Sequence, residues 1–357
     1  MILFFLGFVI LFVTLREVFL TVLVPRGKFR AFRITPFVVH KCLWPAYRCM
    51  ASKVPSPVWK GEILALFGPM LFVLFLLIWV ALLALGFGLM LLAVAKEIVP
   101  PIDSLLSALY VAGSSVLTVG AGEYVGKTTT VRLLLMVAEF NGLIITASVI
   151  SLLFTVMGSI QRREVLVAVL SDIAGSPPSG ITILETYSDN GQYEALGDFY
   201  HEWHVWCADI LETHRAFPIL AFFRSTEAVT SWLTALGAVL DSAALLLSTG
   251  QDRACLSAKL MFKSGKILIN ELTTGWNLGS SNSSEVGGEE IDELYQRLEK
   301  AGYCAASDRE AQDRFLKLRR QYVSNQRALC DYIAVPQTPL STVPQLSVSA
   351  LQAETES

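Results

Sequence analysis

Three long apolar runs dominate the hydrophobic pattern of the chain. The first, residues 1–24, contains only two charged residues, the adjacent Arg16 and Glu17. The second, residues 63–95, contains none, and the third, Leu133–Ile160, contains a single one. A bilayer core of about 30 Å needs roughly 20 apolar residues in a helix, so each run is long enough to cross it. The pattern predicts an all-α membrane protein with three transmembrane helices.

The charged residues between these runs predict the orientation of the chain. Residues 25–60 carry eight basic residues and no acidic one, and by the positive-inside rule such a loop is cytoplasmic. Three spans then place residues 96–132 outside and everything after Gln161 inside, and the basic Arg162 and Arg163 follow the third run directly. We therefore expect a multi-pass protein of the cell (inner) membrane, in contact with the lipid bilayer.

The external segment contains an apolar stretch that is too short to span the bilayer. After Pro100, Asp103 is typical of an N-cap, and residues 103–117 predict a short helix. An apolar helix of this length between two spans is typical of a re-entrant segment. The pattern predicts a re-entrant helix at 103–117, followed by a short loop at 118–122, between the second and third spans.

The backbone of residues 118–122 is suited to binding a cation. Unpaired carbonyl groups at membrane depth are tolerated only inside protein or beside water. Gly120 and Gly122 permit conformations that are closed to other residues, so that successive carbonyl groups can face one way. Four such segments around an axis form rings of oxygens that replace a cation's hydration shell, and the Thr118 hydroxyl would add a further ring. Since each chain has one such segment, we expect a homotetramer.

This stretch resembles the two-transmembrane pore module of bacterial potassium channels. Residues Thr118–Glu123, T-V-G-A-G-E, stand where the family has T-V-G-Y-G-D. Arg132 stands at the start of the inner helix, 131–160, and Gly142 at its hinge, with Glu139 three residues before it as in many bacterial members. The resemblance implies a pore domain at 61–160, in which residues 103–117 are the pore helix and residues 118–122 the filter. It also implies a tetrameric channel for a monovalent cation, K⁺ by expectation, with no other cofactor and with Gly142 as the gating hinge. The residues it implies as ion-binding are Thr118, Val119, Gly120, Ala121 and Gly122.

Departures from the family pattern bear on selectivity. Ala121 replaces the filter aromatic, whose ring holds the diameter of the filter, so a less selective pore is an open alternative. Leu117 replaces the first of the usual two threonines, and Glu123 keeps the acid of the family aspartate. We expect these two residues, with Glu139 and Asn141, to support the filter or line the pore. For Glu139 and Asn141, packing between helices is an equal alternative.

The remainder of the chain has the composition of an acidic helical domain. Residues 161–357 carry 16 basic and 25 acidic residues, which argues against a nucleic-acid partner. Apolar residues recur at helical spacing, which predicts a cytoplasmic α-helical domain at 161–333 and a disordered tail at 334–357. The helices are expected near 191–215, from 218 or 225 to 248, and at 252–275, 288–302 and 306–333. All six cysteines fall in cytoplasmic segments, where free thiols are expected.

Two other patterns are alternatives of lower weight. Residues Ala121–Thr128 fit a relaxed phosphate-binding loop, but an apolar span follows and no α/β pattern surrounds it. His201, His204 and Cys207 recur every three residues and can place metal ligands on one helix face, but packing of an aromatic-rich helix is the favoured explanation. No nucleophile–base set appears, so we expect no enzyme.

Two classes of function therefore remain open. The first is a cation channel whose cytoplasmic domain responds to an unknown regulator. The second is a non-conducting or weakly selective channel-like protein with a signalling or scaffold role, an alternative that the departure at Ala121 favours.

Overall fold

The computed structural model describes residues 1–22, 38–120, 122–189, 191–225, 230–250, 255–279, 287–305 and 308–340. Most of these residues are helical. The chain divides into two units. Unit 1 comprises Met1–Gly158 together with Arg215–Phe223, and unit 2 comprises Ser159–His214 and the described residues from Arg224 onward. The sequence pattern did not separate Arg215–Phe223 from the helical domain that surrounds it in the chain.

Three helices in the described part of the chain are long and apolar enough to cross a membrane, as the sequence predicted. They are α1 (Ile2–Val22), α3 (Pro57–Ala93) and α5 (Thr129–Ala174). Between them lie a helical turn at Val39–Leu43, helix α2 (Trp44–Ser52) and helix α4 (Leu105–Val116). The segment predicted as a basic loop is therefore partly helical, while its residues 25–37 lie outside the described residues.

Helices α1 and α3 pack closely because glycines face each other. A Cβ atom at Gly7 would overlap the carbonyl oxygen of Gly86, and one at Gly86 would lie 2.8 Å from Cγ of Leu11. Small residues at such crossings are typical of helices that associate in lipid, where backbone proximity replaces the hydrophobic driving force. Around this contact, Leu83 and Phe87 of α3 belong to the buried core of unit 1. The pair α1–α3 is thus a defined helix–helix interface.

A two-stranded antiparallel pairing brackets helix α4. Strand β1 (Ile98–Val99) pairs with β2 (Val125–Gly126), with Ile98 opposite Gly126. The Thr128 hydroxyl donates to Glu97 Oε2 at 2.6 Å, beside this pairing. The chain before α4 is therefore tied to the chain after the predicted filter. Strands of two residues are too short to leave a hydrophobic period in the sequence, and we did not predict them.

Unit 2 is a helical domain organised around one buried helix. It contains the end of α5 from Ser159, then α6 (Gly180–Asp189), α7 (Ala195–Ala216) as far as His214, α8 (Trp232–Ser248), α9 (Cys255–Gly275), α10 (Gly288–Lys300), α11 (Arg309–Arg319) and α12 (Val323–Ile333). Every residue of α8 from Trp232 to Leu246 is buried. Helices α6, α9, α11 and α12 all contact α8. A helix that is covered on every side is the core of its domain.

Three elements of the region predicted as the cytoplasmic helical domain differ from the sequence prediction. The helix predicted at 306–333 is two helices, α11 and α12, because the backbone leaves helical geometry at Tyr322, whose φ is −134°. Helix α6, which begins at Gly180, was not predicted from the sequence. Glycine is needed at this position because a Cβ atom there would lie 2.6 Å from the Ser242 amide nitrogen. Residues Pro218–Phe222 form a short 3₁₀ helix in unit 1 rather than the start of α8.

The tail prediction is wrong for its first part. Leu340 is buried, and its carbonyl oxygen accepts a hydrogen bond of 3.2 Å from the Ser179 hydroxyl. Thr338 donates to the Thr234 carbonyl at 3.0 Å. Residues 334–340 therefore pack on unit 2, since the Thr338 side chain bonds to α8 and the Leu340 carbonyl bonds to Ser179, just before α6. Residues 341–357 lie outside the described residues.

Candidate ion-binding loop

Helix α4 begins at a capped N-terminus next to the predicted one. Ser104 is the N-cap, and its hydroxyl accepts a hydrogen bond of 3.1 Å from the Ser107 amide. The prediction of Asp103 as the cap is wrong by one residue. Asp103 instead accepts a hydrogen bond of 2.8 Å from the Ser107 hydroxyl, which lowers the pKa of this carboxyl. Both oxygens lie at the positive end of the helix dipole, where they are stabilising.

The buried face of α4 consists of small and β-branched residues. Ala108, Val111, Ala112 and Val116 are all at most 3% exposed. Gly88 of α3 lies against this face, where a Cβ atom would meet the Ala108 carbonyl oxygen at 3.4 Å. Close packing on α3 fixes the direction of α4. The negative C-terminal end of α4 therefore leads directly into residues 117–120.

Residues Leu117–Gly120 form a tight loop at the end of α4. Thr118 has φ +55° and Gly120 has φ +79°, both in the left-handed region. The Val119 amide donates to the Ser114 carbonyl at 2.9 Å. The Thr118 hydroxyl donates to the adjacent Leu117 carbonyl at 2.7 Å. Gly120 thus adopts a backbone conformation that is closed to most other residues, as the sequence predicted, whereas the left-handed conformation of Thr118 was not predicted.

The loop has little cover within its own chain. Leu117 is 57% exposed and Val119 is 75% exposed. A Cβ atom at Gly120 or Gly122 would meet no atom within 4 Å. Ala121, which stands in place of the family's filter aromatic, lies outside the described residues. An exposed apolar loop that follows a buried helix is typical of a surface that another chain or the membrane covers.

Gly142 of α5 lies directly against the end of α4. A Cβ atom at Gly142 would overlap the carbonyl oxygen of Val116 and would lie 2.7 Å from its carbonyl carbon. Helix α5 is continuous through this position. The neighbouring Ala138 and Ile145, one turn away on either side, are buried in the same core. The absence of a side chain at Gly142 is therefore required for α5 to approach the residue that precedes the loop.

The other predicted residues do not gather around the loop within one chain. Glu139 is exposed on α5. The Asn141 side-chain amide donates to the Val137 carbonyl of its own helix at 2.8 Å, and this bond does not involve the loop. Glu123 is exposed, next to Tyr124, whose ring contacts that of Tyr110 at a centroid distance of 6.4 Å. Of the predicted supporting residues, only Leu117 belongs to the loop itself.

Arg132 holds the start of α5 in place. Its Nε atom donates to the Gly126 carbonyl in β2 at 2.8 Å. A Cβ atom at Gly126 would lie 3.0 Å from Val131 Cγ1, so this glycine also permits a close approach. The sequence marked Arg132 only by resemblance, and its partner was not identifiable because the strand pairing was not predicted. The result is that both ends of the α4–loop segment are anchored.

The histidine pattern on α7 does not form a metal site among the described residues, where no group of three ligand side chains has suitable geometry. His204 Nδ1 is hydrogen-bonded to the Ser264 hydroxyl at 2.7 Å, and Cys207 is buried. His201 is exposed. These side chains face different surroundings despite their regular spacing, because Cys207 points into the core of unit 2.

Comparison with known proteins adds no relative: no family model, no curated protein and no solved structure matches this chain.

Proposed function

We propose that the protein is a homotetrameric channel for monovalent cations, with K⁺ as the expected ion, and that residues Thr118–Gly122 of four chains form its filter. The cytoplasmic helical domain would regulate the pore. The contact between Gly142 and Val116 carries this proposal, because it joins the predicted pore helix to the predicted inner helix at the residue that the resemblance singled out.

The exposure of the loop supports the tetrameric part of the proposal. Leu117 and Val119 are exposed apolar side chains at the end of a helix whose other face is buried. In an assembly of four chains around the loop, these side chains would be covered by neighbouring copies. The loop carbonyl groups would then have a permeant cation as their partner, which is the arrangement that membrane depth requires.

The direction of α4 supports the cationic part. Its C-terminal end, with the partial negative charge of the helix dipole, immediately precedes Thr118. Ser104 and Asp103 occupy the opposite, positive end. A cation at the loop is therefore in the favourable half of the α4 dipole, and an anion there would be in the unfavourable half.

A second candidate is a channel-like protein that conducts weakly or not at all and acts in signalling or as a scaffold. The specific observation in its favour is Ala121, which replaces the filter aromatic of the family. A filter without that ring lacks the outward packing that holds its diameter. Loss of selectivity and loss of conduction are both consistent with this substitution.

Ion flux from liposomes tests the proposal. The purified protein is reconstituted, its assembly is checked by size and by cross-linking, and K⁺, Na⁺ and Cl⁻ fluxes are measured separately. We expect cation flux that Gly120→Asp abolishes, because Gly120 has φ +79° and lies in the loop. Gly61→Asp is the matched control, since a Cβ there meets no atom within 4 Å and flux should persist. A well-assembled tetramer that passes no cation under any condition would favour the second candidate.

A further inference from the structure

Unit 1 contains a cavity of about 70 Å³ that takes no part in the proposed conduction path. Its walls come from five separate segments of unit 1. They include Thr21 of α1, His40 in the turn before α2, Phe72 and Phe75 of α3, and Leu152 of α5. The fifth wall is the segment Ala216–Ile219, which belongs to unit 1 although the chain on both sides of Arg215–Phe223 belongs to unit 2.

The walls of the cavity are unsuited to water. A buried water needs two to four polar partners to replace its hydrogen bonds in the liquid. Among the side chains that line this cavity, only Thr21 and His40 carry polar atoms. A void that water does not fill leaves the surrounding carbon atoms without contacts on one side, which costs dispersion energy. Hydrocarbon is therefore the favoured filling.

Thr21 indicates that the occupant also has a polar end. Its hydroxyl oxygen is buried, with no hydrogen-bond partner among the described residues. Thr14, on the same helix, instead donates to the Ile10 carbonyl one turn back at 2.8 Å. A buried hydroxyl without a partner is costly, and an oxygen acceptor on a bound molecule would remove that cost.

The volume limits what can enter. An apolar cavity of about 150 Å³ in a soluble protein holds benzene, so a cavity of about 70 Å³ fits a stretch of alkyl chain rather than a ring. Alkyl chains are present at high concentration around this unit, because three of the five walls belong to the helices long and apolar enough to cross a membrane.

We propose that the cavity binds an alkyl-chain amphiphile whose chain fills the apolar part and whose oxygen accepts a hydrogen bond from Thr21. The acyl chain and ester carbonyl of a membrane phospholipid have this chemistry, and so do the chain and carboxyl group of a free fatty acid. The occupant would contact α3 and α5 together with the Ala216–Ile219 segment, so its binding would favour the arrangement of these segments seen here. This site does not depend on whether the pore conducts.

Photo-labelling of the full-length protein in liposomes tests the site. One arm uses a phosphatidylcholine with a diazirine in its acyl chain, and the other uses a free fatty acid with the same diazirine. Labelled residues are mapped by peptide mass spectrometry. We expect one arm to label the cavity walls at Phe72, Phe75 or residues 216–219, and unlabelled competitor of the same class to reduce that labelling. The more efficient arm identifies the source of the chain.

Two variants and one control separate a site from general contact with lipid. Ala216→Leu fills the cavity and should reduce labelling of its walls severalfold. Ala81→Leu makes the same change on the exposed face of α3 and should leave the labelling of the cavity walls unchanged. Thr21→Val preserves shape and removes the hydroxyl, so occupancy should fall by about fivefold, the equivalent of one hydrogen bond.

If Ala216→Leu fails to fold, competition by the unlabelled amphiphile on the unsubstituted protein still tests whether the cavity is a specific site. Labelling of the walls that does not saturate, and that equals labelling of the exposed helix faces, would overturn the proposal. Saturable labelling that Thr21→Val leaves unchanged would overturn the role of the hydroxyl.

Discussion

Gly142 and Val116 lie so close that a Cβ atom at Gly142 would overlap the Val116 carbonyl oxygen. This contact gives Gly142 a packing role in addition to the hinge role that the resemblance implies. The two roles predict opposite effects of adding a methyl group. A hinge in a continuous helix would be stiffened by alanine, whereas a packed glycine would be displaced by it.

The first prediction is that Gly142→Ala destabilises unit 1. The added methyl group forces α5 away from the end of α4, and overpacking of this kind costs about 1–3 kcal/mol. The protein is heated in detergent at increasing temperatures, and size-exclusion chromatography then measures the fraction that remains monodisperse. Gly113→Ala in α4 is the control, because its Cβ would lie 3.9 Å from Ala84 Cβ, an ordinary contact. Equal stability of Gly142→Ala and the parent protein would leave only the hinge role.

The second prediction concerns a buried ion pair in unit 2. Arg319 Nε donates to Asp241 Oδ1 at 3.0 Å, and both side chains are at most 7% exposed. The Tyr322 hydroxyl also donates to this carboxylate oxygen. Asp241→Asn leaves the buried guanidinium without a counter-charge, so we expect a loss of about 3–5 kcal/mol in the free energy of unfolding.

Thiol accessibility measures this loss in the full-length protein. Cys330 is 1% exposed, so its reaction with a maleimide in increasing urea reports opening of unit 2. Asp292→Asn is the control, because its pair with Arg309 is exposed and spans 3.5 Å, and such pairs contribute at most about 1 kcal/mol. If both variants opened at the same urea concentration, the buried pair would contribute no more to stability than the exposed one.

The third prediction is that unit 2 loses stability in acid through His214. Burial, together with the positive charge of Arg163, lowers the pKa of His214 to about 3. The unfolded chain has an ordinary histidine pKa near 6.5, so between these values it binds more protons than the folded chain does. The contribution of His214 is therefore complete above pH 6.5 and is lost progressively as the pH falls toward 3.

The His214→Leu variant should flatten this dependence. In the parent protein the His214 Nδ1 atom is hydrogen-bonded to the Ile210 carbonyl at 2.9 Å, and Nε2 is buried with no partner among the described residues. Leucine removes the titrating ring together with that single hydrogen bond. His201→Leu is the control because that side chain is exposed. Urea unfolding at several pH values between 4 and 7 measures the slope. It is read from far-ultraviolet circular dichroism, because the thiolate that reacts with a maleimide is scarce at low pH. A slope that survives in His214→Leu would assign the acid sensitivity to other groups.

The fourth prediction concerns the orientation of the chain. Cys42 and Cys49 are exposed, whereas Cys207 and Cys330 are buried, and burial raises the pKa of Cys330 to about 12. A membrane-impermeant maleimide should therefore label Cys42 and Cys49 in inside-out vesicles and leave them unlabelled in right-side-out vesicles. The reverse pattern would contradict the cytoplasmic assignment of residues 25–60. Mass spectrometry of the labelled peptides distinguishes the thiols.

The three helices that are long and apolar enough to cross a membrane were predictable, because each is a long continuous run of apolar residues in the sequence. Runs such as 63–95 exceed the thickness of the bilayer, and no alternative structure satisfies their backbone in lipid. The break at Tyr322 was not predictable, because it follows from a hydrogen bond to Asp241, which is distant in sequence. Likewise Leu340 packs through a contact with Ser179, for which the tail composition gives no indication.

For the candidate loop, the sequence predicted the conformation of one residue but none of the contacts. Gly120 was assigned a special conformation from the physics of glycine alone, and it has one. The contact between Gly142 and Val116 was not predictable, since a glycine has no side chain whose chemistry would indicate which residue packs against it. The same holds for Arg132, whose acceptor in β2 belongs to a strand too short to be read from a hydrophobic period.

The most direct measurement is the density along Thr118–Gly122 in a cryo-electron microscopy map of the protein in lipid nanodiscs, recorded in K⁺ and again in Na⁺. The account predicts a fourfold assembly with peaks on its axis, each surrounded by carbonyl oxygens of four chains, that change between the two salts. A monomer or dimer, or a tetramer whose four loops lie apart with no ion between them, would contradict it.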